Sequence, residues 1–329
     1  MRAKKGRAAI PATMKAAAMD RFGPPSVLKV HTLQVPVPGP REVLIALHSA
    51  GVGVWDASIR DGSWRPAGPP KFPLVPGTDG AGIVVAKGAR VRRFRIGERV
   101  YAYDYANPKG GFYAEYVAVD ANRAGRVPRR LDLLHAGATV TTGLTALQGI
   151  DDALRLRRGE TIFIFGASGA VGTLAVQFAK RRRAHVIATA SGRDAAALVR
   201  RLGADAVIDG RRSDATEKLH ALAPKGIDAA LVLASNETLE GCLRLVRPGG
   251  RVAYPNGVEP EPKRRPKIRL LAYDAAVGPR EFTRLERAVV EVKLRVPIAA
   301  IYSVAQAAKA HARLERGHVL GRIVLRIRE

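Results

Sequence analysis

Hydrophobic and polar positions divide this chain into two patterns. From residue 136 onward, short apolar runs alternate with amphipathic stretches. The runs at 161–165, 184–190, 205–209, 227–234 and 250–254 predict strands, and the stretches near 170–182, 194–202, 214–222 and 237–246 predict helices. Strand–helix alternation at this spacing predicts a parallel, doubly wound α/β sheet. A sixth strand is expected at 268–272, and further helices at 144–154 and 281–294. Residues 14–130 read differently. Short strand candidates at 43–47, 81–85 and 112–119 are separated by Gly, Pro and Asp turns, which predicts a β-rich unit with long loops. The end of the chain returns to that character. A strand is expected at 298–301, a helix after Ser303 as N-cap, and an alternating strand at 321–327. This final strand fits the first unit better than the parallel sheet. The expected organisation is therefore a basic extension over 1–13, a discontinuous β-rich domain over 14–135 and 298–329, and an inserted nucleotide domain over 136–297, with a cleft between the two domains.

The run TIFIFGASGAVG, from Thr161 to Gly172, places an apolar strand directly before a small-residue turn that opens a helix. Such a corner binds the pyrophosphate of a dinucleotide at the unpaired amides of the helix start. Aligned on its last glycine, the turn reads Ala167-x-Gly169-Ala170-Val171-Gly172, with alanine where the usual fingerprint has its first glycine. Gly169 admits close approach of the phosphates, and Gly172 lets the helix pack on the strand. The end of the second strand usually carries an acid when the cofactor ribose has a free diol. Here it carries Ala190, Ser191 and Gly192, then Arg193. Ser191 and Arg193 suit a 2′-phosphate, and the missing acid independently favours NADPH, although a solvent-facing arginine explains Arg193 equally simply. Asn236 and Asn256 follow the fourth and fifth strands, at the crevice edge of such a sheet, where turn formation is the competing role.

Composition narrows the class. The chain has 329 residues, more than one core usually serves, and its apolar fraction of 47% fits a globular protein. No apolar run reaches bilayer length and no secretory core follows the start, so a cytoplasmic protein without membrane insertion is expected. The single cysteine, Cys242, excludes an intrachain disulfide and a multi-cysteine zinc site. The net charge is +26, and only 14 of the 55 basic residues are lysine. The arginines lie in dispersed short clusters with no nucleic-acid-binding signature, which favours a generally basic surface over a dedicated RNA site.

The segments GVGVWDASIRDG (51–62), VPGTDGAGIV (75–84), RIGERVY (95–101), GFYAEYV (111–117) and TGLTALQ (142–148), with the glycine turn and the terminal GRIVL strand, resemble the medium-chain dehydrogenase/reductase superfamily. The match is specifically to its zinc-independent quinone oxidoreductase branch, which includes zeta-crystallin. The resemblance runs from Met14 to Arg328 and implies a GroES-like catalytic domain, a Rossmann domain and a homodimer. Zinc-dependent relatives place a cysteine and a histidine where this chain has Val54 and Thr78. Neither is a good zinc ligand, so no metal is expected.

Without a Lewis acid, reduction of a quinone or a conjugated carbonyl compound is the more natural chemistry. The resemblance places Thr142 and Thr145 beside the nicotinamide and phosphates, with helix capping as the alternative. It places Trp55 as a narrowing wall of the substrate pocket, with core packing as the alternative, and gives Asp56 the orienting of cofactor-site loops. Tyr101, Tyr103 and Tyr105 alternate along one strand. One of them could donate to a substrate oxygen, although strand packing explains the spacing alone. Two other functions compete with a quinone or enone reductase. One is an enoyl-thioester reductase. The other is an NADPH-responsive binding protein with RNA association.

Overall fold

The computed structural model describes residues 9–66 and 68–328. Fifteen strands and eight α-helices follow one another in the described residues. Thr13–Ala18 (β1) and Lys29–Gln34 (β2) form an antiparallel ribbon. Glu42–Val52 (β3) leads into the helix Val54–Asp61 (α1). Then come Asp79–Lys87 (β4), Arg99–Tyr103 (β5), Tyr116–Asp120 (β6) and Ala124–Arg126 (β7). Of the run expected at 112–119, only the second half is strand. Tyr113 and Glu115 instead exchange backbone bonds with the β1 edge and the 75–77 loop.

The long helix Leu133–Gln148 (α2) begins where the Asp132 carboxylate caps the His135 amide, well before the 144–154 window that periodicity suggested. From Ala136 onward it is buried at every position but Thr141, so amphipathic periodicity could not mark it.

Next comes the alternating unit: Thr161–Phe165 (β8), Ala170–Arg181 (α3), His185–Thr189 (β9), Arg193–Arg201 (α4), Ala206–Ile208 (β10), Ala215–Leu222 (α5), Ile227–Val232 (β11), Leu239–Leu243 (α6), Val246–Pro255 (β12) and Arg269–Tyr273 (β13). These strands form one six-stranded sheet in the order β10-β9-β8-β11-β12-β13, and every adjacent pair is parallel. The order reverses beside β8, where helices cross to opposite faces and a ligand crevice opens at the strand ends. Continuous burial of Ile162 to Phe165, Val186 to Thr189 and Ala229 to Val232 fits a sheet covered on both faces.

Pro279–Glu291 (α7) precedes the return to the first unit. Ile298–Ser303 (β14), Ala307–Glu315 (α8) and Arg322–Arg326 (β15) follow, and the main β-rich sheet runs β14-β15-β3-β4-β5-β7, with β6 on β3. The chain's last strand thus pairs antiparallel with β3. The two units are joined through α2, which packs against β3, β4 and α3.

The arginine excess is spread over the fold. Arg181 pairs with Asp151, Arg284 with Asp152 and Arg251 with Glu160, while Arg92 and Arg313 bond nearby carbonyls. Cys242 is buried on α6, where burial raises its thiol pKa. Among the described residues, no helix is long and apolar enough to cross a membrane.

Candidate active site

A cleft of about 410 Å³ lies between the two units. One wall is the turn between β8 and α3. Gly166 sits at φ +86°, a left-handed conformation that glycine adopts without strain, and its amide is held by the Thr189 hydroxyl at 2.8 Å. Gly169 caps α3, and the first helical bond of that turn runs from Thr173 N to Gly169 O, which leaves the Ala170, Val171 and Gly172 amides available. A β-carbon on Gly172 would collide with the Gly166 carbonyl and with Ala167, so this glycine is required for helix–strand contact. A β-carbon on Gly169 would meet only the Gly166 oxygen, at 3.6 Å, so it would intrude on open space and not on the protein. That space, faced by free amides at a helix start, fits a pyrophosphate. Ala167 is fully buried beneath the turn and bonds Thr189 O, so it shapes the corner without facing the cleft.

The opposite wall comes from the β-rich unit. Gly53 and Asp56 begin α1: the Gly53 amide donates to Asp56 Oδ2 at 2.7 Å, a favourable charge at a helix N-terminus. This start turns Trp55 toward the cleft, where its ring lies 4.7 Å from Trp64. Trp64 stacks on Tyr105 at 5.6 Å, and Tyr105 contacts Tyr103 at 5.8 Å. Trp55 and Tyr103 line the cleft itself, and burial raises the Tyr103 pKa above the ordinary phenol range.

Several expected residues behave differently from the sequence reading. Tyr101 lies away from the cleft. It is fully buried against Phe282 of α7, and its hydroxyl has no partner among the described residues; it shares a strand face with Tyr103, but the helix packs over its end of that face. Asp56 is fully buried behind the wall. Thr142 and Thr145 both line the cleft, yet neither is a helix cap: each sits well inside α2, and the Thr142 hydroxyl bonds Ala138 O. Asn256 lines the cleft and donates to Asp274 at 2.7 Å. Asn236 is consumed by its turn, donating to Gly210 O and accepting from the Thr238 amide, while Ser235 takes the place on the cleft. The Ser191 hydroxyl donates to Asp209 at 2.5 Å, so an acid does stand beside the second strand, supplied by the end of β10. Arg193 is exposed at the first turn of α4 and has no ion-pair partner among the described residues. Arg211, from the loop after β10, reaches His318 of the β-rich unit at 3.2 Å.

Local sequence did not indicate Arg322. It lines the cleft and pairs with Asp79 at 2.9 Å, and both are buried. Asp79 also accepts from the Thr141 amide of α2 at 3.0 Å, so one carboxylate ties β4, β15 and α2 together. The neighbouring Gly321 donates to Ser168 O at 3.0 Å, which sets Arg322 beside the glycine turn. Val54 is 64% exposed and Thr78 lines the cleft. Among the described residues, no three His, Cys, Asp or Glu side chains gather as metal ligands.

Two family models match: "Alcohol dehydrogenase GroES-like domain" over residues 39–129 and "Zinc-binding dehydrogenase" over 170–267. Quinone oxidoreductase of Mus musculus is 32% identical over 243 residues, 73% of this chain and 72% of the relative. The chain belongs to the quinone oxidoreductase branch of the medium-chain dehydrogenase/reductase superfamily. Two further comparisons agree with this membership. A probable quinone oxidoreductase of Schizosaccharomyces pombe is 29% identical over 93% of this chain and 95% of its own. The solved quinone oxidoreductase of Coxiella burnetii superposes with a TM-score of 0.85 at 30% identity, covering 96% of this chain and 100% of that one. A mycobacterial structure described as complexed with NADPH has a TM-score of 0.83 at 26% identity over 95% of this chain and 100% of its own. The second model is named for zinc; Val54 and Thr78, the positions where the resemblance implies zinc ligands in other members, are poor zinc donors.

Proposed function

We infer that the protein is an NADPH-dependent reductase that transfers hydride to a quinone or a conjugated carbonyl compound without zinc. One observation carries this reading. The phosphate-ready turn of α3, the α2 threonines and the aromatic wall of Trp55 and Tyr103 all face the same cleft. The amides of Ala170 to Gly172 would hold the pyrophosphate, with Arg322 beside them as a cation. Arg193 and Arg211 would grip the 2′-phosphate, since Ser191 spends its proton on Asp209. These arginines and Arg212 outnumber Asp209, and the Ser191 hydrogen bond and arginine charges hold its carboxyl below the usual range despite partial burial.

A bound nicotinamide supplies a hydride to the substrate. The chain's own part is to hold a flat acceptor against it and to exclude water. Trp55, backed by Trp64, narrows the space available, which suits a planar ring or small enone. Charge that develops on the substrate oxygen meets the hydroxyls of Thr78, Thr141 and Tyr103, all of which line the cleft. The Thr141 hydroxyl is buried and has no partner among the described residues, so its proton can go to the substrate oxygen.

The test is oxidation of NADPH and NADH by chelator-treated protein with quinones, small enones and an enoyl thioester, with and without added zinc. Selective NADPH turnover with quinones or enones, unchanged by zinc, is the expected result. Tight NADPH binding without turnover across that panel would overturn the reading. Within it, the protein acts in the cytoplasm as a homodimer, and sedimentation velocity tests the dimer.

A further inference from the structure

We propose that Asp56 stores the proton consumed in each reduction and passes it to the substrate through the Thr78 hydroxyl. The proposal deepens the reductase reading and rests on it.

Asp56 is fully buried at the start of α1, directly behind the cleft wall. Its two oxygens are treated unequally. Oδ2 accepts from the Gly53 amide at 2.7 Å and from the Tyr113 hydroxyl at 3.2 Å. Oδ1 is buried and, among the described residues, makes no hydrogen bond of good geometry. A poorly paired carboxylate oxygen in a buried site is costly, and a proton placed on it removes most of that cost. Thr78 joins this carboxyl to the cleft. It lines the cleft while 4% exposed, and its hydroxyl stands close enough to Asp56 to favour the ionised form.

The groups behind Asp56 close off the other exit. Arg60 is permanently charged and donates from Nη1 to His311 Nδ1 at 3.2 Å. The ring proton of His311 must then sit on Nε2, which is 3.1 Å from the Tyr113 hydroxyl oxygen. Tyr113 in turn directs its own proton to Asp56. Every donor in the row Arg60, His311, Tyr113 points toward the carboxyl, so none can accept the Asp56 proton. Burial, with the Arg60 charge second, lowers the His311 pKa to about 3 and keeps that ring neutral. A proton that leaves Asp56 can leave only on the cleft side.

The charged neighbours explain when Asp56 loads. Burial raises its pKa to about 6; Arg322 opposes that rise and Asp79 adds to it. The remaining groups that face it, Gly53, Tyr113 and Thr78, are neutral donors. Arg322 adjoins the turn expected to hold the cofactor's phosphates, through the bond from Gly321 to Ser168. An anion bound there shares Arg322 and adds negative charge. Both effects favour protonated Asp56, so cofactor binding fills the reservoir. In the reaction the electron pair of the cofactor's hydride enters the substrate, and its carbonyl oxygen becomes an enolate or phenolate. That oxygen takes the Thr78 proton, Thr78 Oγ1 takes the Asp56 proton, and Asp56 is left as carboxylate. Cleft water returns a proton by the same route after product leaves.

The first test is titration calorimetry of the full chain with NADPH near pH 6.5, in buffers of different ionisation enthalpy. Wild type should take up a fraction of a proton per chain. Asp56→Asn should take up none while still binding NADPH. The second test is kinetic. Asp56→Asn should lose the fall in rate that wild type shows as pH rises through the Asp56 pKa, and should lose about tenfold more activity with enones than with quinones whose reduced anions are stable in water. Thr78→Val, which leaves Asp56 in place, should keep the proton uptake and lose the solvent deuterium isotope effect on enone reduction. Unchanged proton uptake in Asp56→Asn, or an unchanged isotope effect in Thr78→Val, would overturn the proposal. Absence of NADPH oxidation by wild type with every acceptor would overturn the reductase reading instead.

Discussion

The Ser191 hydroxyl donates to the Asp209 carboxylate at 2.5 Å and so ties the loop after β9 to the loop after β10. This link commits the Ser191 proton to Asp209, and in the proposed reading the 2′-phosphate is then left to the arginines. Arg193→Ala and Arg211→Ala should each raise the NADPH dissociation constant by about tenfold or more, the effect of one lost charge-assisted contact. NADH affinity should change little. Calorimetric titration of both cofactors checks this, and equal losses for the two would show that these side chains do not read the 2′-phosphate.

Gly172 has no room for a side chain, because a β-carbon would overlap the Gly166 carbonyl. Gly172→Ala should cost about 1–3 kcal/mol of stability through overpacking, and should weaken cofactor binding because the turn must shift. Urea denaturation and cofactor titration of the same variant measure the two effects. A variant as stable as wild type would mean that the turn relaxes freely.

Trp64 lines a second hollow of about 390 Å³, with Phe22, Leu33, Ile59 and Phe72, and packs on Trp55 of the cleft wall. Trp64→Ala should merge the two spaces. The expected result is a rise of about tenfold in kcat/KM for quinones with an extended apolar substituent, compared with unsubstituted ones. Loss of activity on both in equal measure would assign Trp64 to packing alone.

His311 and Asp56 pull the acid stability of the fold in opposite directions. The His311 pKa is lowered from 6.5 to about 3, so the unfolded chain binds an extra proton in that window and stability falls as pH drops below 6.5. The Asp56 pKa is raised from 3.8 to about 6, so the folded chain holds the extra proton there, and this contribution is lost as pH rises through 6. Replacing His311 by Gln removes the first effect and leaves the second. The stability of His311→Gln relative to wild type should improve by about 2 kcal/mol between pH 6.5 and 5. Denaturant midpoints at the two pH values test this, and a constant difference between the proteins would rule it out.

Whatever repeats or completes itself within a short stretch of chain is written in the order of its residues. Alternation of apolar runs and amphipathic stretches revealed the parallel sheet, because a strand buried on both faces is uniformly apolar and its crossover helix is not. The turn from Gly166 to Gly172 was legible for the same reason: phosphate binding there needs only backbone amides and missing side chains within one short segment. Which distant groups share a site depends on how the elements pack. Arg322 meets Asp79 across 243 positions, and His311 meets Tyr113 across 198. Each looks locally like an ordinary strand or helix residue. The same limit applies to Tyr101 and Tyr103: their spacing identified the strand, but only the packing of β5 against α7 and the cleft put one ring in the core and the other at the site. Burial and charge pairing arise from contacts between elements, and local periodicity does not encode which elements meet.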